Sequence, residues 1–279
     1  IGTNGTSTNN SPTNAGGLYA NLLDASGNVV ATSPVAADGT YSFPNVAPGS
    51  YSVQITTNQG TVGQPAPATA LPANWVNTGD KNGTGTGVDG AGTAGADGTS
   101  APFTVASTDV TNVNFGIQQL PTANQVTLAS SQNPGGTVNS PDITSSFGGT
   151  DPDGGTVTAI KITAFPTGAT SITIDGVTYT NLADIQTAYP NGIPTNASGQ
   201  PTVPIAVDPV DGAVTVDIPY VTIDNAGKES PTPGFVKVPF TAKPVNVSGN
   251  VFNDLDALVD NNIGTNGTST NNSPTNAGG

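Results

Sequence analysis

Apolar and polar residues alternate along most of this chain in short runs of period two, the pattern of half-buried strands. Residues 18–24 (LYANLLD) and 28–32 (NVVAT) flank the turn Ala25-Ser26-Gly27-Asn28. Ala37-Asp38-Gly39 carries an Asp-Gly hairpin signal. The run 40–56 that follows places Tyr41 and Phe43 on one face, turns at Pro48-Gly49, and places Tyr51, Val53 and Ile55 on one face. Val113, Phe115 and Ile117 alternate near the end of this first set. A second set of strands is predicted at 125–129, 156–164, 171–174, 177–179, 213–223 and 235–242. Residues 180–189 (TNLADIQTAY) form the one plausible helix, with Thr180 or Asn181 as cap and Pro190 as stop.

An internal repeat reorganises this list. Residues 1–17 (IGTNGTSTNNSPTNAGG) recur without change at Ile263–Gly279, an offset of 262 residues. Such identity marks a tandem array, and repeats must be found before a fold is assigned. The expectation is that the chain is a window on a longer array, one period plus an overlap. A period of 262 residues suggests two domains. Val245–Asp260 (VNVSGNVFNDLDALVD) reads as a strand and an acidic loop that open a domain, placed at the far end from the rest of it. The predicted fold is therefore all-β, with two β-sandwich (immunoglobulin-like) modules per repeat. The first, 1–118, lacks its first strand, which 245–262 supplies from the previous repeat or from a neighbouring subunit. The second is 119–244, after the linker Gln119-Leu120-Pro121-Thr122, and 245–279 starts the next module. The duplicated segment favours continuous repeats over separate subunits polymerised by donor-strand exchange.

The first module resembles the collagen-adhesin and serine–aspartate-repeat B-type domains of bacterial surface proteins. The residues that carry the likeness are Asp24, Gly27, Asp38, Gly39, Tyr41, Phe43, Pro48, Gly49, Tyr51 and Val53, with Val247–Asp256 similar to that family's first strand and calcium loop. The resemblance implies a transthyretin-like sandwich used as a stalk module. GTDPDGGTV (149–157) and VDPVDGAVTV (207–216) with VTIDNAG (221–227) resemble cadherin-like and related immunoglobulin-like adhesin repeats. Between the strands of the first module lies a Gly-rich insertion, Asn77–Ser100, expected to be a surface loop holding Asp80, Asp89 and Asp97. Trp75, just ahead of it, reads as a core or loop anchor.

Composition narrows the chemistry. His and Cys are absent, so the common triads and thiol nucleophiles have no members, and the chain is read as a structural protein rather than an enzyme. Related adhesin domains form a Lys–Asn cross-link, but the strand VNVSGNVF has no Lys. A net charge of −14 argues against nucleic acid, whose phosphates need basic patches, and no apolar run is long enough to cross a membrane. The same charge suits calcium, which takes carboxylate, amide and carbonyl oxygens in turn-rich loops. The first candidate ligand set is Asn253, Asp254, Asp256 and Asp260, closely spaced donors that would repel one another without a cation. Ala257 stands where the family's loop has Gly. The second set is Asp151 and Asp153, with Asp208, Asp211 or Asp224 brought close by folding. The expected partners are adjacent repeats or copies of the chain in a filament, with host, cell or glycan surfaces as further partners. The function expected is an extracellular, cell-surface fibre or adhesin stalk stiffened by calcium. The alternative is a ligand-binding adhesin, which the single Trp and 5% aromatic content disfavour for glycans.

Overall fold

The computed structural model describes residues 13, 15–82, 97–249, 252–254 and 272–274. They are almost entirely strand and turn, with one short α-helix. Six strands come first: β1 (Tyr19–Asp24), β2 (Val29–Pro34), β3 (Gly49–Thr56), β4 (Trp75–Lys81), β5 (Phe103–Val105) and β6 (Asn114–Gln119). They form one sheet in the order β2-β1-β3-β5 and a two-stranded sheet β4-β6, with every pairing antiparallel. The β1–β2 turn forms because Asp24 Oδ1 accepts the amides of Ser26 and Asn28 (2.8 and 2.9 Å). Gly27 completes it at φ +80°, a conformation that costs a residue with a Cβ. Asn21 is fully buried on β1 and donates to Gln54 Oε1 and to the Asn58 carbonyl. It also accepts from Gly60 N, which pins the loop after β3.

Leu18, Ala20 and Leu22 around β1 pack with Val53 and Ile55 of β3 into a first hydrophobic cluster. Phe103, Phe115 and Ile117 lean on it without being fully covered. The cluster is open on one side. A groove of about 1070 Å³ runs between the β1–β3 face and β6, with Tyr41 and Phe43 on its rim. Residues 40–46, predicted as a strand, join no strand among the described residues; the Thr40 carbonyl only closes a turn by accepting Ala36 N. Tyr41 and Phe43 still meet edge to face at 5.8 Å, and the Tyr41 hydroxyl donates to the Val113 carbonyl. The alternation there is genuine, but a strand needs a neighbour to satisfy its backbone. The Gly-rich insertion also begins later than expected. Asn77–Lys81 belong to β4 and pair with β6.

The remaining elements are β7 (Thr122–Ala123), β8 (Gln125–Thr127), β9 (Ser131–Gln132), a 3-10 turn at Thr144–Ser146, β10 (Gly149–Thr150), β11 (Val157–Ile162), β12 (Ala169–Ile174), β13 (Val177–Tyr179), α1 (Leu182–Ala188), β14 (Ile193–Pro194), β15 (Ile205–Pro209), β16 (Val214–Asp224) and β17 (Gly234–Thr241). The larger sheet runs β14-β11-β16-β17-β8, with β9 also on β17. A second sheet runs β13-β12-β15, and β7 pairs with β10. Strands β8 and β9 lie parallel to β17; the other pairs are antiparallel. Alternate residues of the two larger sheets, among them Ile160, Ile172, Val207, Ile218 and Val236, bury completely in a second cluster. Asn181 caps α1 by accepting Asp184 N at 3.0 Å. Tyr220 fixes the entry to this half. Its ring meets Phe147 edge to face at 5.2 Å, and its hydroxyl reaches the carbonyls of Asn124 and Gly148 at 3.0 and 2.8 Å.

From Ala242 to Gly249 the chain joins no sheet; Lys243 Nζ donates to the Pro134 carbonyl, and Val245 and Val247 are 79% and 96% exposed. Two short strands follow, β18 (Phe252–Asp254) and β19 (Asn272–Pro274), paired antiparallel.

Candidate cation site

Among the described residues, the strongest concentration of acidic chemistry lies where β6 hands over to the second half of the chain. Two loops build it. One is Asp151–Gly155, between β10 and β11, where Asp-Pro-Asp-Gly-Gly can only turn. The other is the turn Asp224–Lys228, which closes β16 with hydrogen bonds from Gly227 N to Asp224 O and from Asp224 N to Lys228 O. Asn225 Oδ1 accepts Thr156 N at 3.0 Å and so ties the loops together. Gly155 permits the approach: a Cβ there would stand 2.0 Å from Asp151 Oδ2 and 2.6 Å from Asn225 Oδ1.

The carboxylates face the end of β6. Asp224 is buried; its Oδ1 accepts the amides of Ala226 and Lys228, and its Oδ2 accepts Gln118 Nε2 at 2.5 Å. Asp153 Oδ2 accepts Gln119 N at 3.1 Å. Asp151 lies between them. Both of its carboxylate oxygens are shut off from solvent and neither has a hydrogen-bond partner, and the same holds for Gln118 Oε1. Burial first, then the adjacent Asp153 carboxyl and the charges of Asp153 and Asp224, push the Asp151 carboxyl up to about 7.

Asp151, Asp153 and Asp224 are thus neighbours, while Asp208 and Asp211 are held elsewhere, by Thr170 Oγ1 and Gly136 N respectively. Gln118 joins the cluster although nothing in the sequence marked it, and Asn225 joins from within the VTIDNAG stretch. Asn253 and Asp254 of the other candidate set lie in β18, not in a loop, opposite Ser273 and Asn272. Asp256 and Asp260 lie outside the described residues, as does Asp89. Asp80 is buried on β4, where its charge, after burial, raises the Tyr41 hydroxyl's pKa. Asp97 caps a turn through Thr99 N.

Among the described residues no three His, Cys, Asp or Glu side chains close into a ready-made metal cage. A cation here would draw on the orphaned oxygens of Asp151 and Gln118, on Asp153, and on the amide oxygen of Asn225. An all-oxygen donor set of carboxylates and amides fits calcium and not a thiophilic metal. Comparison with family models, with curated proteins and with solved structures returns no match.

Proposed function

We propose that this chain is a structural repeat unit of an extracellular bacterial surface filament or adhesin stalk, stiffened by calcium and without catalytic activity. The observation that carries the reading is the unchanged recurrence of residues 1–17 at a 262-residue offset. In this reading the two hydrophobic clusters are two immunoglobulin-like β-sandwiches strung in series. The acidic cluster between them is their joint. Gln118 and Gln119 enter from one side and the three aspartates from the other, so an ion bound there would restrict bending between the modules. Its charge would also relieve the repulsion that the packed carboxylates carry without it. The function then lies in length and stiffness rather than in a cleft. Electron microscopy of the native protein tests this: filaments with a two-module periodicity are expected, and isolated globular particles would reject it.

A further inference from the structure

We infer that the open groove beside β6 is filled by residues 245–254 of the preceding repeat, added as a third strand along the free edge of β6. This deepens the tandem-repeat reading and rests on it.

Three observations converge. The first is a deficit in the acceptor. The β4–β6 sheet has only two strands, too few to be stable in water alone. One edge of β6 pairs with β4; the other borders the groove, which both Asn114 and Phe115 line. Phe115 and Ile117 remain half covered, with no described residue filling the space in front of them. A groove of about 1070 Å³ flanked by apolar side chains is the shape left by a missing element of a core, since protein interiors are otherwise close-packed.

The second is a surplus in the donor. Residues 242–249 make no ladder, and Val245 and Val247 are largely exposed; in a strand, two such positions would share one face. The sequence continues the alternation, with Asn246, Ser248 and Asn250 between Val245, Val247, Gly249 and Val251. Such a segment is a strand without a sheet.

The third is delivery. Strand β18 continues the donor segment and pairs with Asn272–Pro274, which by the repeat are the same residues as Asn10–Pro12. Carried over to the preceding repeat, the same pairing would bring its β18 to the stretch of sequence that ends at Thr13. Thr13 itself lines the groove. The donor therefore arrives at the groove mouth, and backbone pairing with β6 would fix it while alternate valines fill the apolar space.

The test uses the whole 279-residue chain and two variants. One adds a copy of residues 245–262 ahead of Ile1; the other is Val245→Asp with Val247→Asp, at positions too exposed to support the fold. Sedimentation velocity and binding of an apolar dye are measured across a concentration series. The unmodified chain should form a concentration-dependent ladder of oligomers, because a head-to-tail contact does not close. The extended chain should stay monomeric and lose dye binding, since its groove is filled in cis at high effective concentration. The double variant should associate roughly tenfold or more weakly per valine. Unchanged dye binding and self-association in the extended chain would overturn the inference. So would a double variant that associates like the unmodified chain. A monomeric unmodified chain whose dye binding rises only in the double variant overturns it too, by seating the segment in the chain's own groove. Filaments in the native protein despite such a failure would keep the repeat reading and discard only this joint.

Discussion

Replacing Asp151 by Asn tests the acidic cluster with and without a cation. The substitution keeps the shape of the side chain and removes a charge that sits, without a hydrogen-bond partner, beside Asp153 and Asp224. Without metal, a carboxyl moved from 3.8 to about 7 binds a proton more tightly in the folded chain than in the unfolded one. Between those values the unfolded state holds fewer protons, so stability falls as pH rises from about 4 to 7 and stays low above. Unscreened, that displacement corresponds to roughly 4 kcal/mol. Asp151 and Asp153 as whole residues are only half-buried and Gly154 beside them is exposed, and solvent screening brings the expectation to on the order of 1–2 kcal/mol. Asp151→Asn should therefore stabilise the chelated protein at pH 8 by that amount, raising its melting temperature by about 2–8 °C. With calcium the order reverses. The unmodified chain gains about 2.7 kcal/mol at a hundredfold excess over Kd, and the variant gains little. Calorimetry in chelator and in calcium, at pH 5 and pH 8, reads all four cases. The reasoning fails if Asp151→Asn is destabilising in chelator, or if calcium raises both melting temperatures equally.

Other expectations follow from the same geometry. Gly155→Ala should abolish the calcium-dependent melting shift, because its Cβ would displace the Asp151 carboxylate. Tyr220→Phe takes the hydroxyl partner from the buried Gly148 amide, and one of two partners from the carbonyls of Gly148 and Asn124, and should cost about 1–3 kcal/mol in denaturant unfolding. Phe147→Ala, which also opens a cavity against Tyr220, should cost about 3–5 kcal/mol by the same measurement. Asn181→Ala removes the cap of α1 and should cost about 1 kcal/mol, with faster amide exchange at Asp184.

Much of the strand content was legible because burial on one face writes itself into period two. Val157–Ile162, Val214–Asp224 and Gly234–Thr241 match their predicted runs within two residues. The helix was legible through Asn181 and Pro190. Ile205–Pro209 was missed because Pro204 and Pro209 bracket it, and prolines argue against a strand except at an edge, which this one is. Trp75–Lys81 was hidden by the Gly-rich stretch it runs into. Residues 40–46 show the converse: alternation records which side chains seek the core, not whether a backbone partner is present. At the site, Asp-Pro-Asp-Gly was visible as a turn with two carboxylates, and Asp224 as one of three possible companions. Gln118 was invisible, since an amide at a strand end has no sequence signature and acquires its role only when two loops close over it.

The parallel contact of β8 with β17 has a mechanical meaning. Strand β8 opens the second half of the chain and β17 closes it, and the two lie side by side in register from Phe235↔Gln125 to Lys237↔Thr127. Tension pulling the chain from both directions would drag β8 by its first residue and β17 by its last, toward opposite ends of the shared ladder. The hydrogen bonds between them would be loaded together, in shear, rather than peeled one at a time. Under sustained pull this half would let go as a unit, at a rate set by its unfolding barrier. A thread made of such units would bear load up to a threshold and then lengthen in discrete steps.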